Sequence, residues 1–98
     1  MITPGRIVLY RLSAFDVETV RYQRNVVRKP DGYWPKGNPV DVGQAVPLLV
    51  ARVWPSEYGN EPGVNGQAFL DGNDSLWICS AKEGNEPGQW QWPERVSQ

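Results

Sequence analysis

The sequence predicts a mainly β domain: a small, partly open barrel of the SH3-like type, with about five strands and one short helix after the first. Three observations carry that prediction. Runs rich in β-branched and aromatic residues, five to eleven residues long, recur along the chain. Ten Gly and nine Pro in 98 residues sit mostly between those runs, where turns are needed. Only one stretch, directly after the first run, switches to helical spacing. Short strands, tight turns and one early helix fit a twisted small barrel, and a split β-sandwich is the alternative arrangement.

The first strand is Arg6–Leu12, opened by a Pro4-Gly5 turn. Ser13 with Asp16 three residues on has the form of a capping box, with Asp replacing the usual Glu. The helix that follows ends before Pro30. Its wheel places Phe15, Thr19, Tyr22 and Val26 on one face, read as the apolar one, and Arg21, Arg24 and Arg28 nearly opposite. Residues 30–42 are a long loop punctuated by Asp31-Gly32, Trp34-Pro35 and Asn38-Pro39, carrying the aromatic pair Tyr33 and Trp34.

The second strand is Gln44–Trp54, with Pro47 expected at its start or at a sheet edge because proline cannot donate to a ladder. Gly66–Leu70 and Ser75–Ala81 form a hairpin across Asp71-Gly72-Asn73-Asp74. With Gly72 and Asn73 at the tip, Leu70 would face Ser75, Ala68 would face Trp77 and Gly66 would face Cys79. A last short strand, Gln89–Trp92, ends at Pro93. The sequence Gly59-Asn60-Glu61-Pro62-Gly63 recurs as Gly84-Asn85-Glu86-Pro87-Gly88. One turn used twice is its plain reading.

Length and composition indicate a single domain over residues 1–98. The net charge of −1 argues against a protein that coats DNA or RNA. No apolar run is long enough to span a bilayer, and Pro4, Gly5 and Arg6 interrupt the place where a signal peptide needs continuous apolar sequence. A single cysteine, Cys79, supplies no internal disulfide and is expected to be inert in mid-strand, so a reducing, cytoplasmic setting is inferred. Charge is unevenly spread. Eight Lys/Arg face four acids up to Trp54, and two basic residues face seven acids from Pro55 onward, giving +4 and then −5. One half lying on the other accounts for this most simply; association between copies is the alternative.

The chemistry is bounded by what is missing. With no His, the Ser-His, Cys-His and His-metal arrangements are unavailable. No catalytic residue, metal site or cofactor is predicted. Asp71, Asn73 and Asp74 lack the later ligands of a calcium loop, but two like charges across a hairpin call for compensation, with Arg52 or Arg95 as candidate partners. Trp90 and Trp92 share strand parity, so their rings would project about 6.7 Å apart and admit a planar base. Packing of both rings over the barrel end, with Trp77 or Trp54 against them, is the competing reading and the stronger of the two. Arg21, Arg24 and Arg28 form a row of guanidinium groups suited to phosphate, or a solvated helix face.

Leu70-Asp71-Gly72-Asn73-Asp74, Trp77, Glu83-Gly84, Pro87-Gly88-Gln89-Trp90 and Trp92-Pro93-Glu94-Arg95 resemble the tail of a family of small phage and prophage proteins. Gly5-Arg6-Ile7-Val8, Tyr10, Leu12, Gly37-Asn38-Pro39-Val40 and Gly43 resemble its front. The resemblance implies action in the cytoplasm of an infected bacterium, and it brings no assigned site residues. The resulting expectation is a non-enzymatic, homo-oligomeric protein that sequesters a nucleotide-derived immune signal. An SH3-like protein-interaction module or minor virion or assembly component is the alternative. A nucleotide-degrading enzyme using Asp71, Asp74 or Glu83 is a weaker one.

Overall fold

In the computed structural model, which describes residues 1–25, 35–55 and 62–94, the elements are β1 (Ile7–Arg11), α1 (Ala14–Asn25), β2 (Ala45–Trp54), β3 (Gly63–Phe69), β4 (Ser75–Ala81) and β5 (Trp90–Gln91). All five strands join one antiparallel sheet in the order β4-β3-β2-β1-β5. The chain is mainly β, with its one described helix directly after β1, as the alternation and the capping signal predict.

Closure is incomplete and local. Beyond β4, Glu83 makes an isolated parallel bridge to Trp90. There the backbone N–H of Trp90 donates to the Lys82 carbonyl at 3.0 Å and the backbone N–H of Gly84 to the Trp90 carbonyl at 2.8 Å. The two ends of the sheet therefore meet at one corner, and α1 lies beside the rest of β4, with the Gln23 side chain donating to the Ser75 carbonyl at 3.4 Å. The result is a partly open barrel.

Alternation assigns the inner face. Val8, Tyr10 and Leu12, Val46, Leu48 and Val50, and Leu76 and Ile78 are all buried and belong to one core cluster, to which α1 adds Val17 and Val20. The helix N-terminus is held by the expected reciprocal cap: the Ser13 N–H donates to Asp16 Oδ2 at 2.8 Å and the Asp16 N–H to Ser13 Oγ at 3.1 Å. Asp16, itself 8% exposed, also accepts from the Tyr10 hydroxyl. Burial, reinforced by that carboxylate, pushes the Tyr10 phenol well above its ordinary value.

Several expectations are corrected. The buried face of α1 is Asp16, Val17 and Val20, not Phe15 and Tyr22, which are 76% and 60% exposed. The capping box orients Asp16 inward, and the rotation that follows carries the aromatic face outward. The hairpin is offset by one residue: Phe69 pairs Ser75, Ala68 pairs Leu76, Gln67 pairs Trp77 and Gly66 pairs Ile78. That shift turns Trp77 and Cys79 to the outer face, where both are exposed. Pro47 is the third residue of β2, opposite Leu9 in an interior strand of the sheet.

The repeated pentapeptide does not repeat one backbone. Gly88 has φ +87°, a left-handed conformation that suits glycine, whereas Gly63 lies in β3 opposite Trp54. Val26, Arg28, Tyr33, Trp34, Arg95 and most of the first pentapeptide copy lie outside the described residues. No helix among the described residues is long and apolar enough to cross a membrane.

Candidate functional site

Two regions that the sequence marks as candidates, the Asp71–Asp74 tip and the Trp90–Trp92 end, differ in whether their polar groups have partners. At the tip, Arg24 leaves the last turn of α1 and grips Asp74 with both arms of its guanidinium, Nε to Oδ2 at 2.9 Å and Nη2 to Oδ1 at 3.0 Å. Its Nη1 donates to the Asn38 carbonyl at 2.6 Å, and Gln23 Nε2 adds a second donor to Asp74 Oδ2 at 3.0 Å. The Arg24 and Asp74 side chains are only 11% and 5% exposed. Burial pushes the Asp74 carboxyl up, but the bonds from Arg24 and Gln23 and the Arg24 charge outweigh it, and the net displacement is downward.

The remaining tip groups are occupied by the 36–38 segment. The Asn73 N–H donates to the Lys36 carbonyl at 2.9 Å, the Lys36 N–H to Asn73 Oδ1 at 2.8 Å, and Asn38 Nδ2 to Asp71 Oδ2 at 3.0 Å. Gly37 bridges Gly72, and a Cβ on either would collide with the other's backbone, so both must be glycine. The charge compensation foreseen at this tip exists, and among the described residues its source is Arg24 rather than Arg52, Arg95 lying outside them. Arg52 instead stacks over Trp54, its guanidinium carbon 3.8 Å from the ring centroid.

The pairing with Asp74 also dissolves the proposed phosphate row. Arg24 is neutralised, Arg28 is outside the described residues, and Arg21 is left on an exposed surface. Arg21, Arg24 and Lys36 do line a cleft of about 350 Å³ with Val20, Pro39 and Val40. That cleft sits at the C-terminal end of α1, where helix carbonyls disfavour an anion. Asn25 and Pro35, which residues 26–34 connect, both line it.

The aromatic end is built differently. Trp90 begins β5, paired with Tyr10 of β1, and is 2% exposed. Trp92, just past the strand and 39% exposed, meets it edge to face, with centroids 5.6 Å apart and planes at 85°. No slot for a planar base exists between the rings, which corrects the expected parallel pair: Trp92 lies past the short β5, free of the strand geometry that would hold the two rings parallel. Trp77 and Trp54 do not join them, since one lies on the outer face of β4 and the other at the end of β2.

Beside this pair is a cavity of about 340 Å³ lined by Met1, Ile2, Pro62, Glu83, Trp90 and Trp92. The volume falls in the range of small-molecule sites. The buried Trp90 indole N–H has no acceptor among the described residues, and it is the one such buried side-chain atom among them. An unmet buried donor costs about 1–3 kcal/mol, so a group so placed is normally satisfied. The Glu83 carboxylate, exposed at the same cavity, makes no hydrogen bond or ion pair among the described residues. Arg6 lies over the Trp92 ring, its guanidinium carbon 5.9 Å from the centroid.

No family model, curated protein or solved structure matches the chain. Its site is therefore read from its own geometry. Met1, Ile2, Arg6, Pro62 and Glu83 were not anticipated there, because a strand-parity argument sees only the residues of one strand. Among the described residues no group of three or more His, Cys, Asp or Glu side chains gathers into a cluster able to hold a metal. The three acids considered for catalysis do not form one site: Asp71 and Asp74 are tied into the tip, and Glu83 stands alone at the aromatic cavity.

Proposed function

We propose that this chain is a non-enzymatic binding protein that takes a small, nucleotide-derived ligand into the cavity beside Trp90 and Trp92. The observation that carries the reading is a cavity of ligand size bordered by Trp90 and Trp92, beside a sheet corner where the buried Trp90 indole N–H has no partner among the described residues. The Trp92 ring, 39% exposed, offers a flat apolar wall to a planar group. Arg6, whose guanidinium carbon is 5.9 Å from the centre of that ring, supplies a nearby cation for an anionic group. In the phage setting that the tail motif resembles, binding without turnover would remove a host signal from circulation.

Replacing Trp92 by Ala removes the exposed wall of the cavity and leaves Trp90 in the core. With the cavity reading, ligand binding followed by calorimetry falls at least tenfold in this variant while the protein stays folded. Equal binding in both proteins removes Trp92 from the site.

A second reading, a protein-interaction module that also assembles with itself, is favoured by the outer sheet face. Ile7 faces Leu49, Leu49 faces Gln67, and Gln67 faces Trp77, with Phe69 next on β3. Ile7, Leu49, Phe69 and Trp77 are 60%, 38%, 47% and 51% exposed, a row of apolar side chains interrupted by Gln67, of the kind that marks a contact surface. Monomeric behaviour at high concentration by light scattering, together with an unaltered midpoint when Trp77 becomes Ser, would count against self-association.

A further inference from the structure

We infer that the outer face of the sheet is a two-fold interface, on which a second copy of this chain packs sheet against sheet with Gln67 near the axis. The inference rests on the interaction reading above and names the partner and the central residue. The sequence of β2 already asks for cover on both sides. Residues 45–51 are an unbroken apolar run, whereas a strand with one wet face alternates apolar with polar residues. Val46, Leu48 and Val50 fill the core, and Ala45, Pro47, Leu49 and Ala51 are left exposed. The pairing register extends that run into a patch four strands wide. Ile7, Leu49, Gln67 and Trp77 form one row across β1, β2, β3 and β4. Beside it, Leu9 stands opposite Pro47 and Phe69 opposite Ser75.

Neither row holds a charged side chain, so a partner selected by charge finds nothing to read there. An uncharged apolar face is instead complementary to itself. From their exposed fractions, Ile7, Leu49, Phe69 and Trp77 present about 450 Å² per copy, a patch of functional size. With the exposed Ala45, Pro47 and Gln67 beside them, two copies bury roughly 1,200 Å² together, the lower end of specific interfaces. Gln67 is the one polar side chain of the first row, set between Leu49 and Trp77. An amide carries donors and an acceptor, so it can pair with its own copy across a two-fold axis. A carboxylate or ammonium at that position would meet its like. Sheets packed face to face lie about 10 Å apart, the span that two rows of side chains fill.

The test is sedimentation of the full chain across a concentration series, repeated with Gln67→Glu, with Gln67→Lys and with an equimolar mixture of the two. Gln67 is exposed, so both substitutions leave the fold intact, as circular dichroism will verify. The parent is expected to show a concentration-dependent monomer–dimer equilibrium. Each variant alone should dissociate at least about tenfold more readily, because like charges then meet at the axis. The mixture should recover dimer to within about threefold of the parent, since opposite charges now face each other. A parent that stays monomeric at every concentration overturns the inference together with self-association. A dimer that both variants form as well as the parent does overturns the outer-face assignment and leaves self-association standing elsewhere on the molecule. Two weakened variants whose mixture fails to recover overturn the two-fold placement of Gln67.

Discussion

The acidic tip and the aromatic end stand on the same sheet, and both look like sites in the sequence, yet they resolve in opposite ways. At the tip every conspicuous polar group is met: Asp74 by Arg24 and Gln23, Asn73 by the Lys36 backbone, Asp71 by Asn38. At the aromatic end a buried donor is left bare next to an unengaged carboxylate. The difference teaches that satisfaction, rather than conspicuousness, separates a structural cluster from a ligand site. Two acids so close at one hairpin tip were a sign of a hidden structural partner, although the offset register sets Asp74 opposite Leu70 rather than Asp71. A tryptophan pair that reads as plain packing was hiding an unmet donor.

The largest effect is expected where the two roles overlap. Trp90 is both core and site, so Trp90→Ala should cost about 3–5 kcal/mol in denaturant unfolding and leave little folded protein for binding work. Trp90→Phe should cost far less. A small loss for the alanine variant would mean that the aromatic end is not part of the core.

At the tip, Asp74→Ala leaves Arg24 buried without its carboxylate, and about 3 kcal/mol of stability should go with it. Ligand binding in the surviving folded fraction should be unchanged. The same contact has a pH signature. The folded-state value of Asp74 lies below its ordinary 3.8, so its contribution is fully present above that value and fades as the pH falls below it toward the folded value. Midpoints measured from pH 6 down to pH 2 should therefore fall more steeply in the parent than in Asp74→Asn. Parallel curves would mean that the Arg24 grip contributes nothing.

Smaller effects sharpen the contrast. Asp71 is exposed and accepts one bond from Asn38, so Asp71→Asn should change stability by less than about 1 kcal/mol and leave binding intact. Trp77→Ser on the outer face should change stability by no more than about 0.5 kcal/mol. Its effect should appear instead in self-association at high concentration, if the outer strip is a contact surface.

Most of the fold was legible because it rests on local chemistry. Alternation in β1 and β2 and the Ser13–Asp16 cap are properties of neighbouring residues, and both appear where the pattern puts them. What the pattern missed depends on contacts between distant segments. The one-residue offset of the β3–β4 hairpin is accompanied by the docking of Gly72 against Gly37, a pairing 35 positions apart that no turn rule contains. Arg24 finds Asp74 across 50 positions for the same reason. The face of α1 was misassigned because aromatic rings outweighed valines in the wheel, whereas the inward cap residue and the small Val17 and Val20 fit the narrow space under the helix. At the site, the tryptophans were visible and their partners were not. Glu83 joins Trp90 only through a closing bridge.

The central claim is that the cavity bordered by Trp90 and Trp92 takes a small nucleotide-derived ligand. The most direct measurement is the indole N–H resonance of Trp92, assigned through Trp92→Phe, in a ¹⁵N-labelled sample titrated with nucleosides and nucleotides. A saturable shift of that resonance is expected with at least one of them, while the indole of Trp77 stays unmoved. A Trp92 signal indifferent to every one of them would contradict it.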